Sequence, residues 1–298
     1  MIPFTQPAPW PDFIPLTRFA STIRKHPASC RIALLGLPDD LGVRLNNGRP
    51  GAKDGPRAFR DALARYGVSE PHAWDWPHIF DAGDIAPAEG QTEAALHETH
   101  RRITEATSAL LDLHLFPIAI GGGHDLTYPF VRAVAARHPG LAGIYFDAHL
   151  DVRETVGSGM PFRRLIESHN VRPLHIHGFR PLVNSREHTD YFTSHDGVID
   201  PPGQSLPGGT AGCFASFDMD VLDAAFAPGV SAINPCGWTP AQAESWMITL
   251  GASPRVRCFD IMELNPAHDD NTRSARLAAH LFLSFLRGFA DRPIATIA

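Results

Sequence analysis

The chain has 298 residues, enough for one large α/β domain or two small ones. Hydrophobic residues make up 44%, which suits a globular protein with a full core, and a formal charge of -6 argues against nucleic acid as a main partner. No apolar run approaches the ~18 residues of a membrane span, and residues 1–28 lack the basic start and apolar centre of a signal peptide.

Cys30, Cys213, Cys236 and Cys258 are scattered without a C-x-x-C pair. They read as buried thiols of a reducing compartment, so a cytoplasmic protein is expected.

In chain order, residues 31–36 read as a first buried strand. A polar, Gly-rich stretch follows over 46–55, including Asn47, Gly48 and Arg49. Such a long loop at a strand end either shapes a substrate site or closes as a tight structural loop. Pro56 opens a helix over 57–65, at the turn where a missing N–H costs nothing. A short strand at Ile79 and Phe80 precedes a helix over 92–113.

Residues 116–120 have the profile of a buried parallel strand and run into Gly121-Gly122-Gly123-His124-Asp125. The glycines permit a sharp bend or a close approach. A phosphate cradle is disfavoured, since no Gly-Lys-Ser/Thr follows. After a helix over 126–137, the apolar run from Gly143 leads into Asp147-Ala148-His149-Leu150-Asp151. If strand geometry persists there, the two acids and the imidazole share one face. Taken alone, the stretch also fits a solvated loop.

Next come Arg153, the loop 157–162, a short helix over 162–169 and a strand over 173–177. Residues 179–212 show no clean pattern, and 200–212 read as Pro/Gly-rich loop. A strand over 213–217 ends in Asp218-Met219-Asp220, where the period-two rule again puts two acids on one face. Thr239-Pro240-Ala241-Gln242 combines a capping box with Pro at the first helical position. A strand over 255–261 then leads to Glu263, and a helix over 271–288 is apolar nearly all round.

This alternation predicts an α/β fold, a three-layer α/β/α arrangement around a mainly parallel sheet of about eight strands. No composition break or internal repeat divides the chain, so residues 1–298 are expected to form one domain with 1–30 as an N-terminal extension. Ligands of such folds bind at the C-terminal strand ends. Four of those ends carry His124, the trio Asp147, His149 and Asp151, the pair Asp218 and Asp220, and Glu263. Two histidines and four aspartates suit a pair of divalent ions with carboxylates to bridge them. Mn2+ fits such an oxygen-rich set better than Zn2+, although the ligands alone admit either, or a structural metal.

These motifs carry a family resemblance. Gly-Gly-Gly-His (121–124), Asp-Ala-His-Leu-Asp (147–151) and Ser-Phe-Asp-Met-Asp-Val-Leu-Asp (216–223) resemble the three metal motifs of the ureohydrolases, which include arginase, agmatinase and formimidoylglutamase. The resemblance spans roughly residues 31–266. It implies the arginase fold, two Mn2+ per chain, and possible assembly into homo-oligomers. It also implies one ion on His124, Asp147, Asp151 and Asp218 and the other on Asp147, His149, Asp218 and Asp220, with Asp147 and Asp218 bridging. Glu263, before Leu-Asn-Pro, resembles the carboxylate that grips a cationic amidine or guanidine.

Within the family, Ser158 stands where arginases and agmatinases carry a proton-shuttling His, and its surroundings are similar to a formimidoylglutamase run. Asn47, Arg49, Arg153 and Arg163 lean the same way, with arginine suited to substrate carboxylates or to plain salt bridges. Asp125 and Met160 depart from that branch. The resemblance therefore implies a cytoplasmic, manganese-dependent hydrolase of N-formimino-L-glutamate, an intermediate of histidine degradation. A metal-bridging hydroxide would attack the amidine carbon while Asp151 moves the proton. The alternatives are a guanidine hydrolase such as agmatinase, guanidinobutyrase or arginase, and a non-catalytic ligand-binding relative.

Overall fold

The computed structural model describes residues 2–69 and 76–292; Met1, residues 70–75 and residues 293–298 lie outside the described set. The apolar runs form one sheet of nine strands. These are β1 (Thr5–Gln6), β2 (Ile32–Leu37), β3 (Ile79–Ile85), β4 (Phe116–Gly121), β5 (Ala142–Phe146), β6 (Leu174–His177), β7 (Gly197–Ile199), β8 (Cys213–Asp218) and β9 (Val256–Met262). Across the sheet they run β1-β3-β2-β4-β9-β8-β5-β6-β7. All neighbours pair in parallel except β1, which lies antiparallel on β3 with Thr5 opposite Ile85. The sequence leads to about eight strands; the two it does not place are β1, within the N-terminal extension, and β7, within the patternless 179–212 segment.

Both faces of the sheet are buried, as parallel strands require. On β2, Ile32 and Leu34 join one core while Ala33, Leu35 and Leu37 join the other. The first core is covered by α2 (Gly55–Leu63), α7 (Pro240–Ala252) and α8 (Arg273–Ala290). The second is covered by α3 (Glu93–Asp112), α4 (Thr127–Arg137) and α5 (Pro161–His169). A five-residue α1 (Leu41–Leu45) follows β2, and α6 (Arg186–Ser194) follows β6. The capping box at Thr239 and Gln242 is present, and Pro56 sits in the first turn of α2.

Two expectations need correction. β3 continues to Ile85 instead of stopping at Phe80, because Asp81 and Asp84, which resemble turn residues, are paired with Arg60 of α2. The guanidinium reaches Asp84 Oδ1 at 2.6 Å and both Asp81 oxygens at 3.1 Å. The thiols are also not uniformly buried: all four are free, but Cys236 is exposed and Cys30 half-buried. Among the described residues no helix is long and apolar enough to cross a membrane.

Arg60 is 1% exposed. Replacing it with Ala leaves two acids under the sheet edge without a counter-charge. The expected loss of stability is about 3–5 kcal/mol, measurable as a lower midpoint in urea denaturation.

Candidate metal centre

β4, β9, β8 and β5 are consecutive in the middle of the sheet and run the same way, so their C-terminal ends share one rim. His124 follows β4, Glu263 follows β9, Asp218 and Asp220 close β8, and residues 147–151 follow β5. At β4 the glycines serve close approach: a Cβ on Gly122 would lie 1.8 Å from the Asp39 carbonyl oxygen.

The local geometry that gathers the acids is not the expected strand alternation. β5 ends at Phe146, and Asp151 has a φ of 48°. Instead Asp147 Oδ1 accepts the His149 N–H at 2.6 Å, and Asp218 Oδ1 accepts the Asp220 N–H at 2.7 Å. Each aspartate closes a turn that folds residue i+2 back beside it. Asn184 clamps the first turn, accepting the Leu150 N–H at 2.9 Å and donating to the Ala148 carbonyl at 2.8 Å.

Two groups of ligand atoms result. Around His124 Nδ1 stand Asp147 Oδ2 at 3.1 Å, Asp151 Oδ2 at 3.0 Å and Asp218 Oδ2 at 3.1 Å. Around His149 Nδ1 stand Asp220 Oδ2 at 3.0 Å and Asp147 Oδ1 at 3.4 Å. Asp147 therefore turns one oxygen to each group, while Asp218 contributes to the first. Within each group the candidate ligand atoms lie within 4.8 Å of one another.

Fit to metal rests on the donors themselves. His124 Nδ1 and Asp147 Oδ2 are buried without a hydrogen-bond partner, an arrangement that a cation resolves. His124 Nε2 faces Ser216 Oγ at 3.0 Å, and Ser216 donates to Asp260 Oδ1 at 2.6 Å. With Ser216 committed as a donor to Asp260, its oxygen accepts from Nε2–H, which leaves the Nδ1 lone pair facing the carboxylates.

The charges say the same. Burial raises Asp147 to about 6, with Asp220 and Asp151 adding repulsion, while burial with repulsion from Asp220 and Asp147 holds Asp218 well above the carboxylate range. Burial would lower His149, but Asp220 and Asp147 overcome it and push the imidazole up to about 12. Without metal the cluster draws protons in place of cations.

Glu263 occupies the left-handed region at φ 63°, a conformation that costs energy for a residue with a long side chain. Its Oε1 accepts the His124 N–H at 2.9 Å, while Oε2 is buried without a partner. Burial raises this carboxyl to about 7.

The other sequence candidates separate. Ser158 and Arg153 are joined through Asn46, whose amide donates to Ser158 Oγ at 3.2 Å and accepts from Arg153 Nη1 at 2.6 Å. Arg49 braces the 230–231 turn, its Nε bonding the Ser231 carbonyl at 2.9 Å. Asn47 is exposed at the end of α1 with φ 56°. Arg163 bonds Glu167 at 2.9 Å and lies 4.2 Å over the Tyr191 ring. Sequence reading missed Asn184, Asn46 and Asp260 as partners of the site. Only Asn46, at the head of the polar loop, left a signal there.

Comparison with known proteins agrees with this architecture. A family model described as Arginase family matches residues 30–287. A formimidoylglutamase from Aromatoleum aromaticum is 35% identical, the match covering 88% of this chain and 84% of that protein. The Mn2+-containing structure of Trypanosoma cruzi formiminoglutamase superposes with a TM-score of 0.82 at 30% identity, covering 93% of this chain and 99% of that one. Proclavaminate amidino hydrolase from Streptomyces clavuligerus gives 0.78 at 26% identity, covering 90% and 94%.

Two outcomes are expected at this centre. Chelation should lower the melting temperature by exposing the buried carboxylates to their own repulsion, and Mn2+ should restore it. Ser216→Ala should weaken Mn2+ binding by about 10–100-fold, as loss of an outer partner does elsewhere; metal content after dialysis against graded free Mn2+ reads this directly.

Proposed function

The chain belongs to the arginase family, and on that premise we propose that it hydrolyses N-formimino-L-glutamate to L-glutamate and formamide. The observation that carries this reading is the convergence of six candidate ligands and Glu263 on one rim, with Ser158, not a histidine, in the adjoining loop. Two Mn2+ ions are the cofactor. When bound they supply Lewis acidity for water activation and offset the clustered carboxylates.

His124, Asp147, Asp151 and Asp218 would hold one ion, and Asp147, His149, Asp218 and Asp220 the other. The protein's own groups do the rest. Glu263 keeps a buried Oε2 apart from its bond to the His124 N–H, so it is placed to receive an N–H of the cationic formamidinium and orient the amidine carbon. Asp151 is 14% exposed at its side chain, more than the buried Asp147 and Asp218, and so stands on the open side of the first group. From there it takes a proton from the attacking water and passes it to the departing amine of glutamate.

Arg153, steered by Asn46 and beside Ser158, is placed to bind a substrate carboxylate. Arg49 and Asn47 shape the facing loop. Arg163 joins the substrate only by leaving Glu167, so it ranks below Arg153. The whole chain acts as one catalytic unit in this reading, and a cytoplasmic location suits its free thiols.

With Mn2+ supplied, formiminoglutamate should be turned over with release of formamide, while arginine, agmatine and guanidinobutyrate should yield no comparable urea. Preferred urea release would replace this reading with a guanidine hydrolase. Glu263→Gln should lower kcat/KM by about 10²-fold or more and leave two metals per chain. Retained activity in Asp147→Ala with no bound metal would overturn the mechanism.

A further inference from the structure

A basic cavity lies apart from the metal centre, between α3, α4, α5 and the loop after Asp151. Its volume is about 310 Å³, comparable to the smaller small-molecule sites. Arg132 of α4 and Arg164 of α5 line it together with His97 and His100 of α3, and no Asp or Glu does. None of its lining residues belongs to the metal or substrate sets described above.

Both arginines lack an acidic partner among the described residues. Arg132 is held by bonds from Nε to Thr104 Oγ1 at 2.5 Å and from Nη2 to the His100 carbonyl at 3.0 Å, and its guanidinium lies 5.0 Å over the Tyr128 ring. Arg164 makes one bond, from Nη2 to the Glu154 carbonyl at 3.2 Å. Planar forked donors facing a carboxylate-free space match an oxyanion.

His100 is a buried part of the lining. It is 2% exposed, and its Nε2 is taken by Asp125 Oδ2 at 2.8 Å. Its other ring nitrogen, Nδ1, is buried with no hydrogen-bond partner. A nitrogen left so beside a cavity is one that a ligand or a water would satisfy.

Val156 and Met160 also line the cavity. They belong to the same loop as Arg153 and Ser158, and the Arg153 N–H bonds the Gly159 carbonyl across that loop at 2.8 Å. Filling the cavity would therefore press on the back of the segment that faces substrate. We propose that this cavity binds a small oxyanion, a carboxylate or a phosphate, and that its occupancy steadies residues 153–160 in their substrate-binding form.

The test titrates inorganic phosphate and, separately, acetate into the Mn2+-loaded enzyme by calorimetry, with Arg164→Gln and Arg132→Gln as controls. Saturable binding of either anion, lost in both variants, is expected, and the tighter of the two identifies the ligand class. The KM for substrate should fall about fivefold in wild type, an ordinary coupling, and should not respond in Arg164→Gln. Absence of saturable binding, binding retained in both variants, or a KM that is unchanged or raised would overturn the proposal. Competition at the metal centre is distinguished because it raises KM and survives Arg164→Gln. Only the KM readout rests on the catalytic reading; the calorimetry stands without it.

Discussion

The structure depends on keeping four carboxylates together in a buried place. Asp147, Asp218 and Asp220 are each under 5% exposed, and Asp151 completes the set at the lip. Like charges this close are tolerated only when positive charge lies between them. The surrounding scaffold serves that end. Four parallel strands bring the loops to one rim, two Asx-type turns fold the acids toward each other, and Ser216 with Asp260 fixes the ring of His124 from behind.

From this constraint the chemistry follows in steps. Asp147 offers one oxygen to each group, so it ties the two groups together. Glu263 bonds the backbone of His124, so the carboxylate proposed to grip substrate is fixed relative to the first ion position. The backbone strain at Glu263 and Asp151 falls on the two residues assigned to orienting substrate and moving protons, where strained conformations tend to persist.

The sequence made the ligands legible because each sits where a buried strand runs into an acidic or histidine-bearing turn, and such a pattern has no use in an apolar core. It also led to the parallel three-layer fold, since the central strands β2, β4, β5 and β8 are buried on both faces. Other parts were hidden for physical reasons. The way Asp147, His149 and Asp151 converge depends on side-chain-to-backbone bonds, which periodicity does not encode. Asn184 lies in a segment whose helix, α6, buries only Phe192 and so has no apolar stripe to read. Strand β1 has two residues and packs on an edge, too short to leave a pattern. Asp81 and Asp84 resemble turn residues until Arg60, distant in sequence, is known to neutralise them.

The most direct test of the central claim is anomalous diffraction at the manganese absorption edge from crystals of the Mn2+-loaded enzyme. The account predicts two peaks per chain, one among His124, Asp147, Asp151 and Asp218, the other among Asp147, His149, Asp218 and Asp220. A single peak, or peaks away from these side chains, would contradict it.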